Sequence, residues 1–127
     1  MTKKQRTRNE KLANEIRQWL LDHEMWIDTT IYFNGKAYTQ RDPETGRYYY
    51  NDPEHLFVEN DMNPFDYFEY ANPETVSMSF EGPLYEILNG YFGEVGWELE
   101  EEFNDLFRKY GMYFELGYSW SLTAVEV

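Results

Sequence analysis

The sequence predicts an α+β domain, on three observations. An apolar stripe at helical spacing opens the chain. An Asn-Gly pair then sits between alternating segments. A second alternating pair of segments closes the chain around Gly117-Tyr118. In order, the expected elements are an N-terminal helix, an antiparallel β meander, two helices and a C-terminal β-hairpin that joins the sheet. With 127 residues, one domain spans 1–127, and such a chain can bury a core without disulfides.

Thr7-Arg8-Asn9-Glu10 fits a capping box, in which hydroxyl and carboxylate each satisfy a free amide. Leu12, Ile16, Trp19 and Leu20 follow at helical spacing, so a helix is expected from about 8 to 23, with residues 1–7 as a flexible basic tail. Ile27, Thr29, Ile31 and Phe33 alternate with polar neighbours. Asn34-Gly35 is a two-residue hairpin turn, because both positions need positive φ. A partner strand is expected at 36–41, a turn at Asp42-Pro43-Glu44-Thr45-Gly46 and a third strand at Arg47–Tyr50.

Asp52-Pro53, Asn63-Pro64 and Asn72-Pro73 punctuate the next stretch. Val76, Met78 and Phe80 then point inward from a strand, with Thr75, Ser77 and Ser79 outward. Gly82-Pro83 opens a helix buried through Leu84, Ile87, Leu88 and Tyr91. Gly93 and Gly96 break the chain. A third helix at about 97–109 buries Leu99, Phe103, Leu106, Phe107 and Tyr110, and Gly111 ends it. In the final hairpin Met112, Phe114 and Leu116 alternate, as do Trp120, Leu122 and Ala124.

Composition narrows the function classes. There is no cysteine, so disulfides and thiol chemistry are excluded. No run approaches the ~20 apolar residues that span a bilayer, and no signal peptide is visible, so a cytoplasmic protein without membrane contact is expected. Aromatic residues make up 20% of the chain, enough large rings to offset chain entropy. The two histidines, His23 and His55, sit in no metal or triad motif, and no glycine-rich phosphate loop appears. Asn60–Glu69 carries oxygen ligands but not the Asp-x-Asp-x-Asp-Gly order of a calcium loop. Neither catalysis nor a metal or other cofactor is expected.

The distribution of charge is the informative feature. The net charge is −13, yet residues 1–17 carry six bases and two acids. Residues 18–127 carry five bases and twenty-two acids. From 48 to 107 there are fifteen acids and no lysine or arginine, whereas ordinary surfaces intersperse both signs. Glu98, Glu101, Glu102 and Asp105 recur at i, i+3, i+4 and i+7 and share one helix face. Their like-charge pairs cost about 0.2–0.5 kcal/mol each. Asp61, Asp66, Glu69 and Glu74 lie in the loop-rich part, interleaved with Tyr67 and Tyr70, whose rings combine contact area with a polar tip. The acidic body would repel phosphates, so direct nucleic-acid binding through Lys3-Lys4-Gln5-Arg6-Thr7-Arg8 is not expected.

In size, charge and aromatic-acid texture, Asp52 to Asp105 resembles the acidic nucleic-acid-mimicking inhibitors of phages and mobile elements, of the anti-restriction and anti-CRISPR type. The resemblance is one of class and implies a mechanism, not a fold. Carboxylates occupy the lysine- and arginine-lined groove of a basic nucleic-acid-binding protein and compete with its substrate. The expected partner-binding residues are Asp61, Asp66, Tyr67, Glu69, Tyr70, Glu74, Glu98, Glu101, Glu102 and Asp105. Two alternatives stay open on the residues alone: an immunity or antitoxin protein against a basic toxin, and an acidic interaction domain with no inhibitory role.

Overall fold

The computed structural model describes residues 1–127. A 20-residue helix, α1 (Lys3–Asp22), leads into strands β1 (Thr29–Phe33), β2 (Lys36–Thr39) and β3 (Phe57–Asn60). A single 3-10 turn at Pro64–Asp66 precedes β4 (Ser77–Phe80). Helices α2 (Pro83–Leu88) and α3 (Gly93–Arg108) and strands β5 (Met112–Leu116) and β6 (Ser121–Glu126) complete the α+β fold. The six strands form one antiparallel sheet in the order β3-β2-β1-β4-β6-β5.

All three helices contribute to a cluster of 21 buried side chains against one sheet face. From α1 come Leu12, Ala13, Ile16, Trp19 and Leu20; from the sheet, Ile31, Phe33, Tyr38, Met78, Phe80 and Leu122. Each fully buried aliphatic or aromatic side chain stabilises the fold by about 1.5–3 kcal/mol. The opposite face holds a small cluster, Tyr32, Ala37 and Phe68, flanked by Met62, Ala71 and Trp120.

The first helix begins earlier than expected, and residues 3–7 are not a flexible tail. Thr2 caps it: its hydroxyl accepts from the Gln5 amide at 3.0 Å, while Gln5 Oε1 accepts from the Thr2 amide at 2.7 Å. Thr7 instead donates its hydroxyl to the Lys3 carbonyl within the helix. Two boxes competed, and the earlier one wins because the added turn is tied to the body. The Arg6 carbonyl accepts from Asn34 Nδ2 at 2.9 Å, and just beyond the added turn buried Asn9 donates to the Glu74 carbonyl at 2.9 Å and Arg8 pairs with Glu126 at 2.7 Å.

The Asn34-Gly35 hairpin forms as expected, with φ values of 52° and 75° and Phe33 opposite Lys36. The expected strand at Arg47–Tyr50 does not form; only an isolated bridge joins Arg41 to Tyr48. The edge of β2 is taken by Phe57–Asn60 instead. The tyrosine run is held as a loop, with the Tyr49 amide donating to the Gln40 carbonyl and the Trp26 amide to Asn51 Oδ1. Asn51 is left-handed at φ 52°, which ends any extended run.

The helix break runs from Gly90 to Gly93, which is left-handed at φ 57° and opens α3, while Gly96 lies inside α3 and breaks nothing. Gly90 (φ 78°) closes α2: its amide donates to the Ile87 carbonyl and the Tyr91 amide to the Glu86 carbonyl, the paired bonds of a Schellman motif. α3 therefore starts four residues before the expected position and buries Gly96 within itself. Tyr91, expected in the core, is exposed. Thr75 and Ser77, expected outward, are buried because the second sheet face is also covered. Trp120 does not share a face with Leu122 and Ala124. The strand begins only after it, and its ring packs edge-on against Phe68 at 6.0 Å and stacks on Tyr118 at 5.1 Å.

Gly82 and Gly35 separate two uses of glycine. A Cβ on Gly82 would sit 2.5 Å from the Ile27 carbonyl oxygen, whereas one on Gly35 would meet nothing within 4 Å. In urea unfolding, Gly82→Ala is expected to cost about 2–3 kcal/mol through the clash. Gly35→Ala, with only its positive φ against it, is expected to cost about 1 kcal/mol.

Candidate functional site

The ten residues singled out in the sequence separate into two sets, one on α3 and one on the loops between β3 and β4. Glu98, Glu101, Glu102 and Asp105 lie on α3, which packs through Phe103 and Phe107 into the helix-side core. Phe68, flanked in the chain by Tyr67 and Glu69, packs on Tyr32 of the other face. The fold does not join the two sets into one surface.

The α3 set forms a coherent face. All four carboxylates are exposed, and Glu94, one turn before Glu98, extends the row. From Glu94 to Asp105 the helix rises about 17 Å at 1.5 Å per residue. Five carboxylates over that length stand about 4 Å apart on average, a little wider than the charge spacing of one nucleic-acid strand, about 3.4 Å per phosphate. Arg108 offsets one charge: its Nη1 lies 2.7 Å from Glu101 and 2.8 Å from Asp105, between two acids that would otherwise repel. Those contacts raise the guanidinium pKa further. Glu102 lies 3.9 Å from Nε2 of His23, which caps the C-terminus of α1. Glu100, turned partly inward, has its pKa raised by burial and then by Glu101.

Around the start of this row stand exposed apolar side chains that sequence reasoning missed, with Val95 and Trp97 on opposite flanks of it. Tyr91, Phe92, Val95 and Trp97 are 63%, 52%, 64% and 62% exposed around the α2–α3 corner. Two signals for them were present. Trp97 falls off the Leu99–Phe103–Leu106–Phe107 stripe, and Gly90 offers an earlier helix stop than Gly93. Large exposed rings bordered by charge are the composition of interface anchors.

The second set is dispersed. Asp61, left-handed at φ 57°, follows β3, and Asp66 lies in the 3-10 turn. Tyr67 stands at a cleft on the helix-free face, its ring 5.6 Å from that of Tyr32. Glu69 and Tyr70 border a separate hollow with Leu116 and Gly117. Glu74 lies beside the basic start of α1, its carbonyl accepting from Arg8 and Asn9. It therefore sits in a neutralised neighbourhood, apart from Asp66 and Glu69.

Cations gather at one end. Lys3, Lys4 and Lys11 share an open hollow with Lys109, where α3 ends. Lys109 also reaches Glu15 on α1 at 2.5 Å. Burial alone would raise the Glu15 pKa, but contacts with Lys109 and Tyr110 outweigh it and hold the carboxyl low. The charge of the molecule is thus polarised along α3, from carboxylates at its start and middle to lysines at its finish.

The chain matches no protein-family model, no curated protein and no solved structure. No helix is long and apolar enough to cross a membrane.

Two phenols report on these contacts. Tyr110 is pushed up to about 12 by burial and its hydrogen bond with Glu15, and Tyr50 to about 12 chiefly by its 2.7 Å bond to Asp28. Both shifts favour the neutral ring. Their stabilisation is present in full below the ordinary tyrosine value of about 10 and is lost as pH rises through about 12. Absorbance titration at alkaline pH should therefore show a late-ionising fraction that Tyr110→Phe diminishes.

Proposed function

We propose that this protein is an acidic inhibitor that lays the outward face of α3 into the basic nucleic-acid groove of a nuclease or a restriction or CRISPR effector. One observation carries the reading: five carboxylates, spaced on average close to the phosphates of one nucleic-acid strand, run along a helix that also exposes apolar side chains around its start. The carboxylates meet lysines and arginines that otherwise hold phosphates. Trp97, Phe92 and Val95 supply contact area that a bare anion lacks. Inhibition follows by competition, because both occupants need the same cations.

The row supplies five carboxylates and Arg108 offsets one, fewer than the roughly 6–10 phosphates a DNA-binding protein commonly contacts. Charge alone therefore falls short of a long duplex, and the exposed apolar side chains flanking the row supply the remaining affinity. The polarity of α3 sets the orientation, since the lysine-bearing end is repelled from a basic groove. The helix would thus enter with its N-terminal half foremost.

Affinity capture from cell lysate, followed by elution with a short DNA or RNA duplex, tests the proposal. A nucleic-acid-processing protein should be retained at low salt and displaced by the duplex. Glu98→Lys with Glu102→Lys should weaken retention about tenfold or more and flatten its salt dependence. Trp97→Ala should weaken it by about 2 kcal/mol while leaving the salt dependence unchanged. Equal retention by the charge-reversed protein contradicts the proposal.

A further inference from the structure

The helix-free face of the sheet holds a cleft of about 460 Å³, within the size range of small-molecule sites. Its floor carries hydroxyls: Thr30 and Ser79 are paired across β1 and β4, and Thr39 lies on β2. Aromatic rings wall it, namely Tyr32, Tyr48, Tyr67 and Trp120. Tyr32 is 5% exposed, and its ring is fixed between Phe68 at 5.7 Å and Tyr67 at 5.6 Å. That part of the wall is therefore preformed. Burial, and the nearby Tyr67 and Glu59, raise the Tyr32 pKa, while Ser79 and Thr30 oppose that rise.

The charged groups of the cleft are Asp28, Glu59, Glu81 and Arg41, three carboxylates against one guanidinium. None of the four is in an ion pair. Asp28 accepts a hydrogen bond from Tyr50, which leaves its charge in place.

We propose that this cleft binds an organic cation, an alkylammonium or guanidinium group carried on an apolar stem. The ring faces present negative quadrupoles to such a group. The carboxylates add attraction at the rim, and the floor hydroxyls accept its N–H donors. An anion is repelled, and a neutral polyol leaves the three carboxylates unpaired. The proposal is independent of the α3 reading, because the cleft is on the other side of the sheet. A free polyamine and an arginine or lysine side chain of a bound protein carry the same chemistry.

Isothermal titration calorimetry at low ionic strength tests it, with spermidine, N-acetylarginine amide and sorbitol as probes. The proteins are wild type, Glu59→Gln/Glu81→Gln and Glu98→Gln/Glu102→Gln, all with carboxylates outside the core. At least one cation should bind wild type with Kd below about 1 mM. The Glu59/Glu81 variant should weaken that binding about tenfold or more, and the α3 variant should match wild type within about twofold. Spermidine alone binding assigns the cleft to a free polyamine; the arginine amide alone binding assigns it to a protein side chain. The proposal is overturned if neither cation binds, if sorbitol binds as well as they do, if the Glu59/Glu81 variant binds like wild type, or if the α3 variant weakens binding equally.

Discussion

A chain of four rings fixes the face that the molecule presents. Trp19 of α1 meets Phe103 at 5.2 Å, Phe103 meets Phe107 at 5.3 Å, and both meet Phe114 of β5 at 5.5 and 5.3 Å. These contacts clamp α3 between the first helix and the edge of the sheet. Residues 103 and 107 share a side of the helix by its 3.6-residue period, so once they are buried the opposite side must face water. Glu94, Glu98, Glu101, Glu102 and Asp105 then point outward with no further instruction from the fold. The acidic row is thus a consequence of aromatic packing, and its rigidity is that of the core.

The sheet separates two surfaces of different chemistry. On the helix side, charge is laid along a rod next to exposed rings, which suits contact with an extended basic groove. On the other side, the rings line a concave cleft and the carboxylates stand at its rim, which suits a single compact cation. Both use the same residue types. Curvature and spacing make the difference, and only the tertiary structure sets those.

The architecture was largely legible because local and global signals agree. The Leu12–Leu20 stripe, the Asn34-Gly35 turn, the Val76–Phe80 alternation and the closing hairpin each carry their own signature. Where local signals compete, the reading slipped. Two capping boxes stand within nine residues, and three glycines offer a helix stop between 90 and 96. A tyrosine run has high strand propensity but is out-competed for the β2 edge by Phe57–Asn60. The acidic face of α3 could be found from spacing because helical period is a one-dimensional property. The dispersal of Asp61, Asp66, Glu69 and Glu74 could not, since it depends on how loops cross a sheet that sequence does not order. The apolar corner was hidden for the first reason: placing the break at Gly93 assigned Tyr91 to the core.

Carbodiimide footprinting of carboxylates, in the captured complex against the free protein, tests the central claim most directly. It reads which acids a partner covers without altering any of them. Labelling should fall at Glu94, Glu98, Glu101 and Glu102 and stay constant at Glu69 and Glu115 on the far side. Unchanged labelling along α3, with protection at the sheet face or beside the basic start of α1, would place the working surface elsewhere and contradict the account.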